Sequence, residues 1–284
     1  MKQHIIEHLR YYHLPAENTE FEYFPAAGFN IASYLFPSQS PKAVIIALHG
    51  YLGHCVQMGK LIPEANNEGY SVAALDLPGH GLSSGEKYSI SSFDKYREVL
   101  EAFAEQVKIR FPEIPVYGLG FSLGGAIFVD YHLKNGKGVF EKTVLAAPLI
   151  RNALWEITKK ATMAFDEITD KIPRVYKKET SDPFYIEMER KDPLRANFLP
   201  LRWVKALHSW EADLREKGKC SVPARVLYGL KDTTVDTKEG TEYFKNYWPN
   251  AEIIEYPGGK HELILEAAPL GSRVIQDILT GLKQ

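Results

Sequence analysis

Two cysteines, Cys55 and Cys220, are all that this chain of 284 residues contains. A fold stapled by disulfides is therefore not expected, and a reducing, cytoplasmic compartment is. The first residues mix Glu7 and Arg10 with apolar side chains, and neither a long hydrophobic segment nor a small-residue cleavage site is visible. No stretch approaches the roughly 20 apolar residues of a bilayer span, so any contact with lipid is expected to be peripheral. Excess charge is missing too. A formal net charge of -2 supplies no basic field for nucleic acid, and no nucleic-acid motif is present. His49 and His54 lack a third ligand at zinc-like spacing, so neither metal nor cofactor is expected. The oligomeric state leaves no signature.

What is present suits one globular α/β unit: 45% of residues are apolar and 25% charged. Apolar runs bounded by turns alternate with helical patterns, which predicts a mostly parallel sheet of about eight strands with helices on both faces. Residues 21–25 and 30–37 read as a hairpin around Ala26-Ala27-Gly28. Buried strands are expected at 43–48, 71–75, 115–119, 142–147, 224–229 and 252–256, and a helix at 92–111 with Leu100, Phe103, Ala104 and Val107 on one face. Between Pro148 and Ala224 the texture changes to lysine pairs, scattered prolines and Trp155, Trp203 and Trp210. The chain thus divides into a first core part, 1–148, an inserted cap, 149–222, and a second core part, 223–284.

The strongest chemical signal is Gly118-Leu119-Gly120-Phe121-Ser122-Leu123-Gly124-Gly125, directly after an apolar strand. A serine hydroxyl is a weak nucleophile unless the backbone holds it exposed beside a base, as a sharp strand-to-helix turn does. Gly120 and Gly124 leave such a turn room. Of nine histidines, His132, His208 and His261 lie downstream of Ser122. The chain order serine, acid, histidine, with the histidine beyond a strand's end, selects His261, after Ile253-Ile254-Glu255-Tyr256-Pro257-Gly258-Gly259. The acid expected is Asp232, just past strand 224–229, ahead of Asp236, which reads as a helix start. Tyr51 and Leu123 are the expected N–H donors to a developing oxyanion. Because His261 must be neutral to act as base, activity should fall on the acid side of about pH 6.5.

These residues carry a resemblance. With Asp76-Leu77-Pro78-Gly79-His80-Gly81, Asp232 with Val235, Gly259-Lys260-His261-Glu262, and the Ser181-Asp182-Pro183 and Lys191-Asp192-Pro193-Leu194 runs, the chain resembles the monoacylglycerol lipase and lysophospholipase branch of the α/β-hydrolases, which groups with serine aminopeptidase-like sequences. Phe121, where those lipases usually carry histidine, and Leu52-Gly53 depart from the pattern. The resemblance implies an α/β-hydrolase fold with a helical cap after the sixth strand, and hydrolysis of a small-molecule acyl ester through an acyl-enzyme on Ser122. The cap aromatics Trp155, Phe165, Phe184 and Phe198 read either as the lining of an acyl tunnel or as side chains that bury the cap against the core. The slight basic excess of the cap reads either as a solvated surface or as a face for peripheral contact with a lipid interface. A proline-type aminopeptidase, using Glu179, Glu187 or Glu189 to hold an amine, and a short-chain carboxylesterase are the alternatives. A non-catalytic binding relative is the remote one.

Overall fold

The computed structural model describes residues 3–165, 169–174 and 176–283, apart from the side chains of residues 161 and 163–165. Among the described residues ten strands run in chain order: β1 (Glu20–Ala26), β2 (Phe29–Phe36), β3 (Ala43–Leu48), β4 (Tyr70–Leu75), β5 (Val116–Phe121), β6 (Phe140–Ala146), β7 (Lys171–Pro173), β8 (Phe198–Pro200), β9 (Ala224–Gly229) and β10 (Ala251–Tyr256). Nine helices accompany them among the described residues: α1 (Gln3–Tyr11), α2 (Leu61–Asn67), α3 (Asp94–Arg110), α4 (Leu123–Asn135), α5 (Trp155–Phe165), α6 (Pro183–Lys191), α7 (Leu201–Leu214), α8 (Thr237–Tyr247) and α9 (Leu270–Lys283).

Eight strands form one sheet in the order β1-β2-β4-β3-β5-β6-β9-β10, antiparallel only where β2 meets β1 and β4. Parallel neighbours need crossovers, and helices on both faces supply them. Alternation within a strand serves both sides. Val44, Ile46 and Leu48 of β3 join a core with Phe103 of α3, Ile127 of α4 and Phe244 of α8. Ala43, Ile45 and Ala47 join a second core with Leu9 of α1, Leu61 of α2 and Ile278 of α9. No described helix is long and apolar enough to cross a membrane.

Register brings the strand ends together. Leu48 lies opposite Gly120, Phe121 opposite Ala146, and Tyr256 opposite Gly229. The loops that leave β3, β5, β6, β9 and β10 therefore emerge along one edge, where α/β sheets place their ligands. Between β6 and β9 the chain makes α5, α6 and α7, so this insertion is mainly helical, but β7 and β8 also pair as a separate antiparallel ribbon. The sequence shows no alternating pattern over these three-residue strands. Trp203, Val204, Leu207 and Trp210 of α7 pack into the same core as α3 and α4.

Candidate active site

Ser122 sits at the junction of β5 and α4 with φ +50° and ψ -110°, a conformation a side chain adopts only under strain of about 1–3 kcal/mol. Hydrogen bonds hold it there. Its N–H donates to the Ala146 carbonyl at 2.9 Å, and its own carbonyl accepts from Ala126 and Leu149, each at 3.0 Å. The flanking glycines are required by space: a Cβ on Gly120 would stand 2.6 Å from the backbone of Gly124, and one on Gly124 2.4 Å from the Leu48 carbonyl oxygen.

His261, in the loop after β10, brings Nε2 to 3.0 Å from Ser122 Oγ and Nδ1 to 2.7 Å from Asp232 Oδ2. A carboxylate can only accept, so Nδ1 carries the proton and Nε2 is left to accept from the serine hydroxyl. Asp232 is itself fixed, since its other oxygen accepts from the N–H groups of Thr234 at 2.7 Å and Val235 at 3.0 Å. Burial opposes charge on the imidazole, but Asp232, with Glu179 and Glu262 beyond it, carries its pKa up to about 9. The carboxylates around the imidazole would displace the acid limb upward from the ordinary value of about 6.5.

The other candidates lie elsewhere. Asp236 caps α8 by accepting from Glu239 N–H at 3.0 Å. His132 bonds Thr143 and the Gly136 carbonyl, and His208 packs edge-on against Trp155.

The loop after β3 faces the serine. Leu77 N–H donates to His49 Nε2 at 2.9 Å, so that nitrogen is unprotonated and Nδ1–H donates to the Gly50 carbonyl at 2.7 Å. Burial, reinforced by His80, keeps His49 neutral, far below the usual histidine range. In a trans peptide the carbonyl and the next N–H point oppositely, so His49 turns the N–H of Tyr51 away from itself. Leu123 offers its N–H at the first position of α4, where helix N–H groups lack intrahelical partners. Asp76 fixes the loop behind, accepting from Cys55 N–H at 2.9 Å and Leu82 N–H at 2.8 Å. Burial pushes the Cys55 thiol far above its ordinary pKa.

A cavity of about 340 Å³ opens over Ser122 and His261. Its apolar lining includes Leu154 and Ile157 of the insertion, Ile172, Leu199, Val204 and Leu207, with Trp203 stacked on Tyr51 at 3.6 Å. Of the two readings of the cap aromatics, the tunnel does not hold for Trp155, Phe184 and Phe198, which do not line the cavity. Trp155 packs on His208, Phe198 lies beside Tyr88 and Lys171, and Phe184 is 46% exposed beside His13; the side chain of Phe165 lies outside the described residues. Branched aliphatics take their place, a substitution that helical spacing does not reveal.

Polar side chains share the lining: Arg174, Lys177, Glu179, Thr234 and Glu262 are among them, and Glu262 N–H donates to the Glu179 carbonyl at 2.8 Å. Of the acids considered for an amine site, Glu179 alone reaches the cavity among the described residues. Glu187 is surface-exposed beside Arg190, and Glu189 is buried against Arg195. Sequence reading did not bring these charged groups together around one cavity, because burial of charge leaves no pattern in a linear sequence.

A parallel sheet wound with helices on both faces, and a serine raised on the turn between strand and helix, define an α/β-hydrolase. The chain belongs to the serine aminopeptidase S33 family, whose profile matches residues 39–268. It is 24% identical over 282 residues to the monoglyceride lipase of Mus musculus, covering 92% of this chain and 91% of that protein. It is likewise 24% identical over 243 residues to phospholipase YtpA of Bacillus subtilis, covering 82% and 93%. Among solved structures, a soluble variant of monoglyceride lipase from Saccharomyces cerevisiae in complex with a substrate analog superposes with a TM-score of 0.81 at 20% identity, over 93% of this chain and 94% of that one.

Proposed function

We propose that this protein hydrolyses carboxylic esters of acylglycerol or lysophospholipid type through an acyl-enzyme on Ser122. The observation that carries the reading is the relay from Ser122 Oγ through His261 to Asp232, at 3.0 and 2.7 Å, at the floor of a largely apolar cavity. The names of the mouse and Bacillus relatives agree with it.

In this reading Ser122 attacks the ester carbonyl while His261 Nε2 takes its proton, and Asp232 steadies the imidazolium. The N–H groups of Tyr51 and Leu123 stabilise the tetrahedral oxyanion. His261 then protonates the departing alcohol, and water activated by the same nitrogen releases the fatty acid. Residues 149–222 act as the cap that roofs this chemistry, inserted between core parts 1–148 and 223–284. Leu154 and Ile157, 47% and 64% exposed at the cavity, suit peripheral contact with a lipid interface. Two unpaired, buried cysteines suit a cytoplasmic home.

The test is a Ser122→Ala variant with a fluorophosphonate probe. Wild type should be labelled and should release fatty acid, and the variant should do neither. Unaltered turnover by the variant would refute the nucleophile, and an unlabelled wild type would favour a binding protein. The aminopeptidase alternative rests on Glu179, but both of its oxygens are already engaged, by Thr234 and Arg174. Faster release of proline from a dipeptide amide than of fatty acid from an ester would favour it.

A further inference from the structure

The stretch of the insertion that leads into α6, residues 177–182, is bonded to both loops that carry the relay. In the loop of Asp232, the Thr233 carbonyl accepts from Lys177 Nζ, and Thr234 Oγ1 donates to Glu179 Oε1 at 2.6 Å. In the loop of His261, Glu262 N–H donates to the Glu179 carbonyl at 2.8 Å, and Lys260 Nζ donates to the Thr180 carbonyl at 3.1 Å. Both chain neighbours of His261 are thus fastened to the stretch that also holds Thr234. Glu179 touches each loop, one with its side chain and the other with its carbonyl. The stretch is itself anchored: Ser181 N–H donates to Glu266 Oε2 at 2.7 Å, and Lys60 Nζ donates to Asp182 Oδ2 at 2.7 Å. Arg174 Nη2, 3.1 Å from Glu179 Oε2, fixes the direction of the Glu179 carboxylate.

The Asp232 carboxylate is held at both ends. Oδ2 accepts from His261 Nδ1 at 2.7 Å, while Oδ1 accepts from Thr234 N–H at 2.7 Å and Val235 N–H at 3.0 Å. A carboxylate is rigid and planar, so a displacement of the Thr234 peptide turns both oxygens together and carries Oδ2 off the imidazole. The Thr234 carbonyl is held by Ala153 N–H at 2.9 Å, and its hydroxyl by Glu179. A hydroxyl bonded to a carboxylate is one of the stronger restraints available. We infer that Glu179 is a positioning residue for the relay, holding Asp232 in register with His261 through the Thr234 hydroxyl and thereby making the insertion a working part of the triad. The inference rests on the reading of Ser122 as nucleophile.

The experiment measures hydrolysis of nitrophenyl butyrate by the full chain, at pH values above the acid limb, with kcat counted per site that a fluorophosphonate probe can titrate. Misfolded protein and altered titration of His261 then drop out of the comparison. Glu179→Ala and Thr234→Val should each lower kcat by about tenfold to a hundredfold, the scale of a relay misplaced by up to about 1 Å, with KM little changed. The double variant should be no slower than the slower single one, because both changes cut the same link. Thr234→Val alters no charge and little volume, so it keeps the test open if Glu179→Ala folds poorly. Thr234→Ser, which retains the hydroxyl, should stay close to wild type, and so should Glu179→Gln, which drops the charge but can still bond that hydroxyl. Unchanged kcat in Glu179→Ala and Thr234→Val, additive losses in the double variant, equal losses in Thr234→Ser and Thr234→Val, or a rise in KM alone would each overturn the positioning role. Failure of the underlying reading looks different: wild type itself neither cleaves the ester nor takes up the probe at Ser122.

Discussion

His54 Nε2 lies 2.6 Å from Asp192 Oδ2, with both side chains buried, and this contact ties the loop after β3 to the insertion. Tyr12, following α1, donates to the same carboxylate oxygen, and the other oxygen accepts from Leu194 N–H at 2.8 Å. Burial alone would raise the Asp192 pKa, but His54 and Tyr12 hold it well below the usual carboxylate range. Three separate parts of the chain meet at one carboxylate. Removing it in Asp192→Ala should cost about 3–5 kcal/mol, as for other broken buried pairs. Denaturant unfolding measures that loss, and a wild-type midpoint would show that the three parts are held by other contacts.

The pH profile should report the carboxylates around His261. The base must be neutral, so kcat/KM should fall as pH drops through a value displaced from about 6.5 toward 9. In Glu179→Gln the limb should move back toward the ordinary value, because one of the raising charges is gone. The same shift has a stability sign. A pKa raised on folding stabilises fully below the unfolded value near 6.5, and that contribution is lost as pH rises through about 9. An acid limb at 6.5 in both proteins would contradict the electrostatic account.

Gly124→Ala should damage the turn that presents Ser122. The added Cβ would lie 2.4 Å from the Leu48 carbonyl oxygen and 2.7 Å from Leu48 Cβ, in a central strand that cannot yield. A loss of at least about 1–3 kcal/mol is expected from overpacking. Thermal unfolding and fluorophosphonate labelling, run in parallel, should both deteriorate; full labelling at unchanged Tm would refute the argument.

Asp130 of α4 anchors the insertion from the core side. It accepts from Arg97 Nη1 at 2.6 Å, Lys217 Nζ at 2.5 Å and the Trp210 indole N–H at 3.1 Å, and it is 2% exposed. In a double-mutant cycle, Asp130→Asn and Trp210→Phe should be non-additive by about 0.5–3 kcal/mol. Strict additivity in urea unfolding would mean that the indole contact holds nothing together.

The strands were legible because alternation and continuous apolar runs are local signals. β3 and β9 match the sequence reading at both ends, β4 and β10 differ by one residue at one end, and β5 and β6 differ by one or two residues at each end. The serine turn was legible for a similar reason, since only glycine fits at positions 120 and 124. The short ribbon of β7 and β8 was not, because three residues are too few to show a period. Trp155, Phe184 and Phe198 left two readings open for a related reason: an aromatic side chain announces burial or contact, but not the partner.

The sequence by itself determined the parallel sheet, the turn that exposes Ser122 and the choice of His261 and Asp232 beyond two later strands. Each follows from short-range rules of period, turn space and chain order. Only the tertiary structure decided which charges surround the imidazole. It also decided which aliphatics face the serine and how Asp192 and Asp130 fasten the insertion to the core. Those contacts join residues separated by as many as 180 positions, as Tyr12 and Asp192 are, and their energies depend on burial, which exists only once the chain has folded.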